Sequence, residues 1–143
     1  MTKLRANPAL WHNVIEETLR YEPPVTLIPR IALEDFEVHG NLIRQGQLVQ
    51  LSIASANRDR VHFVDAERFD VSRVPGQHLS FGHGPHGCLG ASLAREQASI
   101  ALTTLFQRFP TLRLDASQPI QWYRNAGNRG PLTLPLVFEG SHA

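Results

Sequence analysis

Leu10, Val14, Ile15 and Leu19 recur every three to four residues ahead of Tyr21, the spacing of one helical face. Asn7-Pro8 gives that helix a start, with Asn as cap and Pro at the first helical position, and Pro23-Pro24 gives it a stop. Residues 25–32 read as extended. Residues 36–53 read as three short strands separated by turns at Gly40-Asn41 and Gln45-Gly46. A short helix is expected over residues 52–57. Residues 58–77 mix charge with Pro75 and Gly76 without any period, which predicts an ordered but irregular meander. Residues 89–109 form the longest predicted helix, with Ala, Leu and Ile inward and Arg95, Glu96, Gln97 and Arg108 outward, ended by Pro110. Short strands are expected at residues 112–114, 120–123 and 133–138. Two helices with several antiparallel strands make the predicted class α+β.

Composition adds boundaries to this picture. The 143 residues, 42% hydrophobic and 19% charged with a net charge of +1, predict a single domain over residues 1–143. The same balance argues against disorder and against a nucleic-acid footprint. Cys88 is the only cysteine, so an internal disulfide framework is excluded and a reducing, cytoplasmic setting is expected. The longest apolar runs fall short of a membrane span, and Met1-Thr2-Lys3-Leu4-Arg5 has no signal-peptide apolar region; no membrane association is expected. No internal repeat or low-complexity tract stands out.

The chemistry concentrates at residues 81–90, Phe-Gly-His-Gly-Pro-His-Gly-Cys-Leu-Gly. Gly82, Gly84, Gly87 and Gly90 surround one thiol, and a helix-forming run follows at once. Free N–H groups and the positive end of a helix favour a thiolate, and glycines let a backbone approach a flat, bulky ligand. The loop reads as a socket for a metal cofactor that takes one sulfur ligand. His78, His83, His86 and Cys88 together would also offer zinc donors. The glycine content, Phe81 and the separate Glu17–Arg20 pair argue against zinc.

The pattern Phe81-Gly82-x-Gly84-x-His86-x-Cys88-x-Gly90 resembles the haem-binding loop of the cytochrome P-450 family of haem-thiolate monooxygenases. Other segments fall in that family's order. Glu17-Thr18-Leu19-Arg20 is similar to its Glu-x-x-Arg helix, and Tyr21-Glu22-Pro23-Pro24-Val25 to the turn after it. Asn57-Arg58-Asp59 and Glu67-Arg68-Phe69-Asp70 are similar to its meander, and Ala91-Ser92-Leu93-Ala94-Arg95 to the helix after the cysteine. Ala66 departs from the proline often found there. The likeness runs from about Leu4 to Phe138 and corresponds to the C-terminal third of the family fold. The long helix whose acid–alcohol pair delivers protons to oxygen is not found ahead of Glu17.

The resemblance implies haem b (iron-protoporphyrin IX) as cofactor and Cys88 as the iron ligand. It places Phe81 against the porphyrin and gives Gly82 and Gly90 the close approach of loop and helix. It further implies Arg30, His86 and His78 as contacts to the haem propionates. Glu17 and Arg20, three apart and so on one helix face, are expected to form a buried network with a meander arginine, taken as Arg68. Arg95 and Arg108 are candidates for a basic patch facing a ferredoxin- or flavin-type redox partner. The implied activity is insertion of an oxygen atom from O2 into a small organic substrate. The alternative is a catalytically inactive truncated relative, a haem-binding or protein-interaction module in which exposed apolar surface leads to self-association.

Overall fold

A computed structural model describes residues 4, 7, 10–123, 125 and 127–139 of the chain; Pro8 of the expected helix start lies outside them. Helix α1 (Leu10–Tyr21) buries Trp11, Ile15, Glu16, Glu17 and Arg20. Of the apolar stripe that predicted this helix, only Ile15 is buried, while Leu10, Val14 and Leu19 are half-buried. The deepest face of α1 is therefore largely charged, which is tolerable only if each charge finds a partner.

After the Pro23-Pro24 stop, β1 (Leu27–Ile31) pairs antiparallel with β4 (Leu48–Ser52), Leu27 opposite Ser52 and Arg30 opposite Val49. Between them, β2 (Phe36–Val38) and β3 (Asn41–Ile43) form a hairpin. Its turn is His39-Gly40, with φ of 49° and 78°, one residue earlier than the pattern suggested. Two consecutive left-handed residues make the tight turn whose twist matches the flanking strands, leaving Asn41 free to begin β3. Helix α2 (Ile53–Ala56) follows β4 directly. It is capped by Ser52, whose hydroxyl accepts from the Ser55 amide at 3.3 Å, and its Ile53 is buried.

Helix α3 (Ala91–Arg108) lies against α1, with the rings of Trp11 and Phe106 stacked at 5.4 Å and 24°. Its predicted facing needs correction. Leu93 and Ile100 are 62% and 66% exposed; the half-buried positions are Ala91, Arg95, Ala98, Ser99, Leu102, Thr103, Leu105 and Phe106. That series also has helical spacing, and it places Arg95 inward rather than in solvent. The remaining strands are β5 (Arg113–Leu114), β6 (Gln121–Trp122), β7 (Pro131–Thr133) and β8 (Leu136–Val137). The single strand expected at 133–138 is thus divided. β7 pairs with β6 and β8 with β5. Pro135, lacking an N–H, stands at the switch and offers its carbonyl to the Asp115 amide at 3.0 Å. An isolated bridge, Val25 to Asn128, ties this end of the chain to the approach to β1.

Trp11 is 8% exposed and carries the α1–α3 contact. Trp11→Ala is expected to lower unfolding stability by about 3–5 kcal/mol, read from the midpoint of chemical denaturation; a loss under about 1 kcal/mol would contradict this packing role.

Candidate functional site

The loop between the meander and α3 is closed by its own backbone. The Cys88 amide donates to the Phe81 carbonyl at 2.8 Å, the Gly82 amide to Leu79 at 2.8 Å, and the Gly87 amide to Gly84 at 2.9 Å. A 3-10 turn, Gly84–His86, fills the middle. Gly82 and Gly84 have φ of 73° and 76°, a region other residues enter only with strain. Gly90 precedes the first turn of α3, where an added Cβ would come within 3.9 Å of Cys88 Sγ.

Cys88 is exposed. It opens onto a cleft of about 340 Å³ lined by Leu19 of α1, Pro24, Val25, Ile28 and Arg30 of the β1 segment, and Ser80, Phe81, Gly82, His83 and His86 of the loop. Arg30 and His86 are exposed side chains of the same cleft as the thiol. One soft donor, an apolar wall and two groups able to carry positive charge suit a flat macrocycle with a single axial sulfur ligand and acidic substituents. Among the described residues no group of three or more His, Cys, Asp or Glu converges to hold a metal ion.

Two helices and the meander hold this loop in place. Arg20, 2% exposed, forks onto Glu17, Nε to Oε2 at 2.7 Å and Nη2 to Oε1 at 2.8 Å. Its remaining N–H groups donate to the carbonyls of Asn57 and Ala66 at 2.9 Å and of Arg68 at 3.0 Å. Glu17 also accepts from the Asp70 amide at 2.8 Å. The relay then passes through Asn57, which has no exposed surface. Its side chain accepts from the Leu79 amide at 2.7 Å and donates to Ser80 Oγ at 2.8 Å, while Ser80 donates to the Leu19 carbonyl at 2.6 Å. Phe81 is the next residue. A second buried carboxylate, Glu16, is held by Arg95 of α3 at 2.6 and 3.0 Å.

The family model described as cytochrome P-450 matches residues 2–128 of this chain. The chain belongs to the cytochrome P-450 family. The biotin biosynthesis cytochrome P-450 of Bacillus subtilis is 48% identical over 97% of this chain, and the mycinamicin IV hydroxylase/epoxidase of Micromonospora griseorubida is 45% identical over 95% of it. The chain spans 35% of the length of each. The crystal structure of the P-450 BioI in complex with an acyl carrier protein ligated to hexadec-9Z-enoic acid superposes with a TM-score of 0.91 at 46% identity, over 96% of this chain and 36% of that one. The himastatin-biosynthesis hydroxylase HmtN gives a TM-score of 0.93 at 36% identity. The α+β arrangement of helices and small antiparallel strands is thus the C-terminal part of the P-450 fold, and the family implies a haem cofactor. Among the described residues no helix is long and apolar enough to cross a membrane.

In this P-450 chain, Arg30, Phe81, Gly82, His86 and Cys88 are brought to one cleft, and Gly90 lies beside the sulfur. Three expectations require correction. The meander arginine facing Glu17 is Arg73, Nε to Oε2 at 3.3 Å, whereas Arg68 contributes its carbonyl and leaves its side chain 69% exposed near Asp70. His78 does not line the cleft. Its side chain is 4% exposed, with Nε2 3.3 Å from Glu16 Oε2 but without hydrogen-bond geometry. Arg95 is committed to Glu16 rather than to a basic outer patch. Asn57 was read as part of a motif, yet its role as the link to the loop had no signal in the sequence. Glu16 and Arg73 were missed altogether.

The electrostatics follow burial and pairing. Burial pushes the Glu17 carboxyl up, but the Arg20 and Asp70 hydrogen bonds and the charges of Arg20 and Arg73 outweigh it and leave the group below the ordinary carboxylate range. Glu16 behaves likewise, with Arg95 the main counterweight to burial. Burial lowers His78, only partly opposed by the Glu16 charge, so its neutral form is favoured. All three shifts make the unfolded chain bind more protons than the folded one on acidification, so stability falls with falling pH. Loss is expected first through the ordinary histidine range, from His78, and then further through the carboxylate range, from Glu16 and Glu17. Arg20→Ala is expected to cost on the order of 3–5 kcal/mol, since it strands a buried carboxylate. Glu17→Gln should flatten the acidic limb of the stability–pH curve, measured by denaturation from pH 7 downward; an unaltered limb would contradict the assignment.

Proposed function

We propose that this chain, as a single haem-binding domain over residues 1–143, binds haem b through the Cys88 thiolate. In this reading Arg30 and His86 pair with the propionates, where a guanidinium fork suits a carboxylate. Phe81 packs against the ring and keeps water from the sulfur, and Gly82 and Gly90 keep side chains out of the macrocycle's approach. Backbone N–H groups after Cys88 would hydrogen-bond the thiolate and tune the reduction potential. Haem supplies the redox iron for dioxygen activation, and a thiolate ligand pushes electron density toward it. What carries the reading is the exposed Cys88 thiol in the same apolar cleft as Arg30 and His86.

The activity we assign to the whole protein of which this chain has the P-450 C-terminal part is that of a cytoplasmic monooxygenase. It takes electrons from a ferredoxin- or flavin-type partner and oxygenates a small organic substrate. Among its relatives are a mycinamicin IV hydroxylase/epoxidase and a P-450 complexed with an acyl carrier protein ligated to hexadec-9Z-enoic acid, names that support oxygenation of an organic molecule, free or carried as an acyl chain. A catalytically inactive haem-binding or protein-interaction module is the second reading. It is favoured by Leu89, Leu93 and Ile100, which are 104%, 62% and 66% exposed before and along α3, apolar side chains suited to self-association.

The chain should take up added haemin and, once reduced under carbon monoxide, give a thiolate-type Soret band. Cys88→Ser should lose that band while keeping the fold. An unchanged spectrum in Cys88→Ser, or a wild-type band of the imidazole type, would overturn the ligand assignment. Turnover of any substrate by the reconstituted chain would exclude the module reading.

A further inference from the structure

Glu16 and Arg95 are 79 residues apart in sequence, yet their side chains form a two-bonded fork between α1 and α3. Glu16 is 4% exposed. A carboxylate at that depth is tolerable only with a partner, and a bidentate guanidinium fixes the plane of the pair as well as its distance. The same guanidinium lies 4.5 Å above the Phe81 ring. The Phe81 carbonyl in turn holds the Cys88 amide at 2.8 Å. On another side the His78 ring tilts against Phe81 with centroids 6.1 Å apart. Four residues from three parts of the chain thus form one line of contact: Glu16, Arg95, Phe81, Cys88.

We propose that Arg95 is a positioning residue for the cysteine loop. Anchored by Glu16, it presses its flat face on Phe81 and so fixes the backbone bond that sets where Cys88 points. Lysine would keep the charge but supply neither the fork nor the plane, so charge alone does not substitute. The contact rests on geometry already present without haem. Its consequence for iron ligation rests on the proposed haem reading.

Amide hydrogen exchange on the full chain without haem tests it. In Arg95→Lys, which keeps a cation beside Glu16, the Cys88 amide should exchange about three to ten times faster than in the wild type, the range a cation–π contact of this kind sustains. Amides of the Arg20-bound segment, residues 57–68, should stay at wild-type rates. In a Phe81→Leu background Arg95→Lys should add little. Unchanged Cys88 exchange overturns the proposal, and so does a uniform acceleration of all amides, which would make Arg95 a helix strut only. An undiminished Arg95 effect in Phe81→Leu overturns the route through the ring. With haem bound, Arg95→Lys should shift the midpoint reduction potential. Failure of the wild type to take up haem would sink the haem reading alone, because the exchange result stands without it.

Discussion

Arg20 donates to Glu17 and to the carbonyls of Asn57, Ala66 and Arg68 while almost wholly removed from water. A buried ion pair is poor evidence of stability in itself, because desolvation offsets much of the attraction. Here its value is geometric. The meander has no ladder or helix to satisfy its carbonyls, and buried carbonyls need donors. One guanidinium supplies them at three points and thereby gives an aperiodic segment a single conformation. The rest of the site is built on that segment.

From Asn57 the constraint passes to Leu79 and Ser80, and so to the start of the cysteine loop. Glu16 and Glu17 divide the work. Neighbours on a helix project about 100° apart, so Glu17 turns to the meander and Glu16 to α3, where Arg95 reaches the same loop from behind. The thiol is then held from both ends, by the meander on one side and by the first turn of α3 on the other. Its own side chain remains open to the cleft.

Much of this was legible from residues alone, and the failures have physical causes. Proline stops, the apolar stripe of α1 and the glycine-rich loop are local signals, and they located the helices and the candidate ligand. The turn at His39-Gly40 was displaced by one residue because a histidine took a left-handed φ usually left to glycine or asparagine. Arg95 was placed outward because charge was read as solvation; its facing depends on Glu16, 79 residues away, and no local pattern carries that. Arg68 and Arg73 are equivalent in composition and differ only in the path of the meander, which lacks a period. His78 sits three residues before Phe81, close enough in sequence to suggest the cleft, yet its ring turns toward α1. Strands β7 and β8 were merged because Pro135 divides pairing partners rather than ending an extended run.

The central claim is that this framework delivers one sulfur, that of Cys88, to a haem iron. X-ray absorption at the iron edge of the haem-reconstituted chain tests it most directly. A single sulfur neighbour beside the porphyrin nitrogens is the predicted result, and a first shell of nitrogen and oxygen alone would contradict it.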